Sequence, residues 1–283
     1  MEKNIGPFSL YEKQPNDICF GHIYTTEVDL PVPFFSHRIV RVYLPEDFDP
    51  NKTYPLMIMS DGQNMVDKYT TMFGAWELDK RQHELLAQGH KSFIIVGIDC
   101  APELAERAFE YSFPHMRIKN WEKGNYRENA EKDIYSHLLY EYIVKQLLPF
   151  VRQYFPITSE RKDTCVCGAS MGGVFALSLI CLFPDVFGTA LCFSPGYFLY
   201  DEEELSKFLE EKAPGIDKDH KLYFYTGDKE FEKQFVEPTK KMYDYFVNKG
   251  FGSNVKYVFA PGAEHCEKYW TLFANDAIKF WQS

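Results

Sequence analysis

Thr164-Cys165-Val166-Cys167-Gly168-Ala169-Ser170-Met171-Gly172-Gly173 is the stretch on which the rest of the chain depends. Its first residues are a short apolar run of the kind that forms a buried strand, and Val174 to Phe183 follows as an apolar, helix-compatible segment. Between them stands G-x-S-x-G, the sequence form of a nucleophile elbow. A serine on so sharp a strand-to-helix turn takes a strained backbone conformation and presses its neighbours two residues either side together. Gly168 and Gly172 have no Cβ to clash there. Ser170 is then expected at the carboxyl edge of a sheet and the amino end of a helix, where the dipole and the first N–H groups favour negative charge. Cys165 and Cys167 share one strand face, and with no second pair of matching spacing they do not read as a metal site.

Outward from the elbow, strands and helices alternate. Ile18 to Val28 and Ser36 to Leu44 read as two strands of a hairpin or meander joined through Pro31-Val32-Pro33. The polar/apolar alternation of Arg38 to Leu44 suggests a strand near a sheet edge. Tyr54 to Ser60 is continuously apolar, hence central, and ends in Asp61-Gly62-Gln63-Asn64, where Gly62 would permit a tight turn aimed at the serine; Asp-Gly equally suits a plain surface turn. Trp76 to Gln88 is a half-buried helix, Ser92 to Asp99 a buried strand and Asp133 to Tyr154 a long amphipathic helix. After the elbow come a strand at Phe187 to Phe193, a helix at Asp201 to Glu211 and a strand at Lys221 to Thr226. Then follow a helix at Phe231 to Lys249, a strand at Val255 to Ala260 and a helix at Tyr269 to Trp281. Near-continuous apolar strands alternating with helices imply an α/β fold, a mostly parallel central sheet with helices on both faces.

Cys100 to Lys132 reads as a long aromatic and charged loop, a lid or binding loop, in which Arg107 and Glu110 suggest an internal ion pair. Trp121 and Tyr126 on it offer stacking surfaces for aromatic acyl groups or sugar rings, so they are the candidate substrate-binding residues; packing within the loop is the plainer alternative.

The 283 residues, 45% hydrophobic and 17% aromatic, suffice for one large core, and no linker, charge block or repeat divides them, so a single domain over 1–283 is expected. A net charge of −10 argues against a nucleic-acid partner. No apolar stretch approaches a membrane span, and Met1 to Pro7 lacks the apolar run of a signal peptide. Seven cysteines, mostly in apolar runs, suit reduced thiols in a cytoplasm.

A serine hydroxyl is a weak nucleophile until a base takes its proton, and imidazole suits that task at neutral pH when an acid fixes its tautomer. Of eight histidines, His265 alone sits in a loop just after a late strand. Ser170, the turn Asp61 to Asn64, Gly227 to Glu230 and His265 all fall at the carboxyl ends of strands, where such sheets bind ligands. Serine, then acid, then histidine is the chain order of α/β-hydrolases.

Taken with Asp61-Gly62-Gln63-Asn64, Arg107 with Glu110-Tyr111, Gly168-Ala169-Ser170-Met171-Gly172-Gly173, Ser194-Pro195 and His265, the chain from about Arg41 onward resembles the putative-esterase group of α/β-hydrolases. That group includes S-formylglutathione hydrolases (esterase D), feruloyl and acetyl-xylan esterases, siderophore esterases and mycolyltransferases, and the signatures here are similar to its bacterial branch. Where many members have His-Gly at the oxyanion turn, this chain has Asp61-Gly62.

The resemblance implies hydrolysis of a small-molecule carboxylic ester through an acyl-enzyme, with no metal or organic cofactor. Ser170 attacks, His265 shuttles the proton, and the N–H groups of Met171 and Gln63 hold the oxyanion. The family pattern of glycine, two variable residues and acid, read from Gly227, points to Glu230 as the third member, with Asp228 the alternative. The rival readings are an acyltransferase to a sugar or lipid acceptor, an inactive hydrolase-fold binding protein, and a peptidase.

Overall fold

The computed structural model describes residues 2–11, 19–66, 74–119 and 134–283. Its strands are β1 (Asn4–Ile5), β2 (Phe8–Leu10), β3 (His22–Asp29), β4 (His37–Leu44), β5 (Leu56–Met59), β6 (Ile94–Ile98), β7 (Thr164–Ala169), β8 (Thr189–Phe193), β9 (Lys221–Gly227) and β10 (Val255–Ala260). They form one sheet in the order β1-β2-β3-β4-β6-β5-β7-β8-β9-β10. The first four strands and the β4–β6 pair run antiparallel, and every pair from β6 to β10 is parallel.

The helices are α1 (Leu78–Ala87), α2 (Leu104–Tyr111), α3 (Ser136–Tyr142), α4 (Leu148–Arg152), α5 (Met171–Leu182), α6 (Glu202–Lys212), α7 (Lys233–Asn248) and α8 (Glu267–Gln282). Alternate strand residues face two separate cores, as the period of two requires. Val166, Leu222 and Phe224 point to the core shared with α2 to α7, whereas Cys165, Cys167, Tyr223 and Tyr225 point to the core under α1 and α8. Every residue of α5 except Leu182 is buried, which is why that helix is apolar all round.

Three expectations are corrected. The strand Arg38 to Leu44 is not near an edge: β4 is flanked by β3 and β6, and its polar positions Arg38 and Arg41 are buried against Glu110 and Asp99. The stretch after Cys100 is not all loop, because it contains α2. The long helix before the elbow is helical over Ser136–Arg152 but passes through a π-helical segment, Ile143–Leu147, which ends two residues before Pro149. Proline lacks the N–H and crowds the preceding turn, and a wider turn accommodates it.

Candidate active site

Ser170 links β7 to α5 with φ 59 and ψ −121, a conformation that costs a non-glycine residue about 1–3 kcal/mol and persists only where its surroundings enforce it. Its N–H donates to the Phe193 carbonyl at 2.9 Å, and its own carbonyl accepts from Gly173 at 3.0 Å and Gly196 at 3.2 Å. The flanking glycines are required by contact. A Cβ on Gly168 would lie 2.4 Å from the Gly172 carbonyl oxygen, and one on Gly172 would lie 2.2 Å from Ser60 Oγ. Met171 opens α5, so its N–H is among the first-turn donors with no intrahelical acceptor.

The turn after β5 faces this elbow as a 3-10 segment, Gly62–Asn64. The left-handed residue there is Asp61 (φ 54), not Gly62. Gly62 is needed for another reason: its Cβ would meet the Gly97 carbonyl carbon at 2.6 Å, because the turn packs backbone to backbone on β6. The Gln63 amide is held by Cys100, donating to its Sγ at 3.1 Å and accepting from its N–H at 3.1 Å.

Asp61 is the hub below the turn. Arg107 grips it in a bidentate pair, Nε to Oδ1 at 2.6 Å and Nη2 to Oδ2 at 2.8 Å, and Nη2 also reaches the Ala169 carbonyl at 3.4 Å. One guanidinium therefore straps the turn to the residue preceding Ser170. Ser60 Oγ donates to the same carboxylate at 3.2 Å, and the Asp61 N–H donates to Tyr111 Oη at 3.0 Å. The expected Arg107–Glu110 pair does not form, since the two side chains have different partners. Glu110 pairs with the buried Arg38 at 3.0 Å and accepts from the Ala101 N–H at 2.8 Å. Burial pushes Glu110 up to about 7, against the pull of Arg38. Asn64 Nδ2 donates at 2.9 Å to Glu267, whose carboxyl burial raises, and so ties the turn to the helix that begins just after His265.

His265 follows β10, with its Nδ1 2.5 Å from Oε2 of Glu232. Glu232 is fully buried; its other oxygen accepts from the Gly227 N–H at 3.0 Å and from the Ser194 hydroxyl. Trp270 Nε1 donates to Ser194 Oγ at 2.9 Å, which leaves the serine proton to point at the carboxylate. A bonded path thus runs from the elbow through Phe193 and Ser194 to Glu232 and His265.

The acid beside His265 is accordingly neither Glu230 nor Asp228. Glu230 is exposed in a left-handed conformation (φ 51), and Asp228 Oδ1 accepts from the Gly262 N–H at 2.6 Å. The chain turns at Glu230 into a 3-10 segment, Glu230–Glu232, which swings the residue two places later inward. A signal for this was present. The buried face of α7 is Phe235, Thr239, Met242 and Phe246, and Glu232 heads the same stripe three residues before Phe235. Trp121 and Tyr126 lie outside the described residues. Among the described residues, no group of three or more His, Cys, Asp or Glu side chains is arranged to hold a metal ion.

The arrangement offers a strained serine at a helix amino end, with the first N–H groups of α5 beside it, and an imidazole whose Nδ1 is fixed by a buried carboxylate, parts that acyl transfer uses. A family model described as "Putative esterase" matches residues 36–278. The chain belongs to that family. It is a carboxylic ester hydrolase with an α/β-hydrolase fold.

A curated relative of this esterase, "Uncharacterized protein YbbA" of Bacillus subtilis (strain 168), is 21% identical over 256 residues, covering 87% of this chain and 92% of its own. Among solved structures, the BES protein from Bacillus cereus superposes with a TM-score of 0.71 at 16% identity, covering 96% of this chain and 100% of that one. The feruloyl esterase module from Clostridium thermocellum, complexed with sinapinate, gives 0.63 at 17% identity, covering 95% of this chain and 93% of that one.

Proposed function

We propose that this esterase cleaves small-molecule carboxylic esters through an acyl-enzyme on Ser170, with His265 as general base and acid and Glu232 as the third member of the triad. The observation that carries the reading is the buried Glu232–His265 pair, bonded through Ser194 to the strand end beside the strained serine. Ser170 Oγ attacks the ester carbonyl as His265 Nε2 takes its proton. Glu232 holds the proton on Nδ1 and stabilises the imidazolium. Backbone N–H groups of Met171 and Gln63 receive the oxyanion, and such donors are typically worth ~3–4 kcal/mol each. The protonated imidazole then gives its proton to the departing alcohol, and water repeats the sequence to free the acid.

Aromatic acyl esters of the ferulate and sinapinate kind are the first substrates to try, because fold neighbours act on or bind such groups. A reducing, cytoplasmic setting suits the buried thiols Cys165, Cys167, Cys181 and Cys192, each pushed upward by burial. The test is an initial-rate panel of acetyl, butyryl and feruloyl esters and the thioester S-formylglutathione, with wild type and Ser170→Ala. Turnover that vanishes in the variant while its circular dichroism is unchanged supports the reading. Undiminished turnover in Ser170→Ala refutes it.

A further inference from the structure

The 3-10 turn that carries Glu232 also carries Phe231, whose side chain is set against the ordinary sorting of residues: it is 57% exposed. The residue before it, Glu230, holds the left-handed φ of 51 that a non-glycine residue adopts only under constraint. That twist sends Glu232 into the core and Phe231 outward beside the imidazole.

The Phe231 ring meets His265 edge-on, centroids 5.2 Å apart at 84°, and touches Phe235 at 5.3 Å. Phe235 stacks on the His265 ring at 4.4 Å and 24°. Phe198 stands edge-on to Phe235 at 4.8 Å and to Phe231 at 6.5 Å. Phe198 lies in a short turn, Tyr197–Leu199, and the residue before that turn, Gly196, donates its N–H to the Ser170 carbonyl. Phe235 is 1% exposed and backs the other two rings, so the aromatic surface beside the imidazole is that of Phe231 and the half-buried Phe198.

Position decides what such a surface touches. His265 hands its proton to the departing alcohol oxygen, so the group attached to that oxygen lies against whatever flanks the imidazole. We infer that Phe231 and Phe198, backed by the buried Phe235, form the leaving-group subsite, and that the alcohol half of the substrate is apolar and ring-bearing, such as an arylalkyl alcohol, and not a polyol. The inference rests on the acyl-enzyme reading above. It concerns the alcohol half of the substrate alone.

The experiment compares kcat/KM for ethyl butyrate and 2-phenylethyl butyrate, which share an acyl group and have alcohols of similar acidity, so that their ratio reports contacts with the leaving group. Wild type should favour the phenylethyl ester by about tenfold, the effect of covering much of one phenyl ring. Phe231→Ala, at an exposed position that does not threaten folding, should bring the ratio near one, and Phe231→Tyr should restore it. The ratio between ethyl acetate and ethyl butyrate should be the same in Phe231→Ala as in wild type.

A wild-type ratio near one overturns the subsite. So does a Phe231→Ala variant that loses the same factor on both butyrates, the pattern of a ring that only shields the Glu232–His265 pair. Absence of turnover on every ester, with no fluorophosphonate adduct on Ser170, would instead overturn the acyl-enzyme reading and the subsite with it.

Discussion

Glu232→Gln alters the chemistry of one carboxylate and leaves its volume alone. Oε1 of Glu232 accepts two hydrogen bonds, from the Gly227 N–H and from a Ser194 hydroxyl whose proton is aimed by the Trp270 indole. Both donors require an acceptor there, which only the carbonyl oxygen of the glutamine supplies, so its NH2 is turned to His265 Nδ1. Nδ1 must then accept, the proton moves to Nε2, and the imidazole faces Ser170 in the wrong tautomer to act as a base. The expected loss in kcat is about 10³–10⁴-fold, or ~4–5.5 kcal/mol in the barrier. Because the amide keeps the bonds to Gly227 and Ser194, the melting temperature should fall by only a few degrees. The assay is kcat at saturating p-nitrophenyl butyrate near neutral pH, alongside Glu230→Gln and Asp228→Asn, which should remain within about twofold of wild type. A Glu232→Gln enzyme with near-normal kcat, or a large loss in Glu230→Gln, would refute the reasoning.

Two further outcomes follow from the buried charges. Arg107→Ala leaves the Asp61 carboxylate buried without its cation, which should cost about 3–5 kcal/mol of stability; Asp61→Asn combined with Arg107→Ala should recover part of that, and strictly additive losses by urea unfolding would contradict the pairing. Glu110 is raised from its ordinary 4.5 to about 7, so between those values the folded chain holds a proton that the unfolded chain has released. Its contribution is full below about 4.5 and is lost as pH rises through about 7, up to roughly 3 kcal/mol. Glu110→Gln should flatten that slope in urea midpoints measured across the range, and an identical slope in the variant would contradict the assignment.

The elbow was legible because two close approaches, at Gly168 and Gly172, admit only glycine, and the fold around it because strand and helix periods differ. The place of His265 in the loop after the last strand was legible from chain order. The carboxylate beside it was not. The family pattern read from Gly227 ends at Glu230, whereas the left-handed turn there puts the inward position two residues later, and only the stripe of α7 records where it falls.

Arg107 was read as the partner of Glu110 and not of Asp61, since 46 positions separate Arg107 from Asp61 and nothing local in either segment encodes the pairing. Arg38 and Arg41 misled for a related reason. A polar/apolar alternation marks a half-solvated strand unless each charge has a buried counter-charge elsewhere, as both do here. The strands Asn4–Ile5 and Phe8–Leu10 are too short to carry a period at all.

Labelling wild-type enzyme with a fluorophosphonate to completion, and mapping the adduct by peptide mass spectrometry, asks whether Ser170 is the nucleophile that His265 and Glu232 activate. One phosphonyl group per chain is expected, on the peptide containing Ser170, with esterase activity lost in proportion to labelling and the labelling rate sharply reduced in Glu232→Gln. An adduct on any other residue, or full activity in chains that carry the adduct on Ser170, would contradict it.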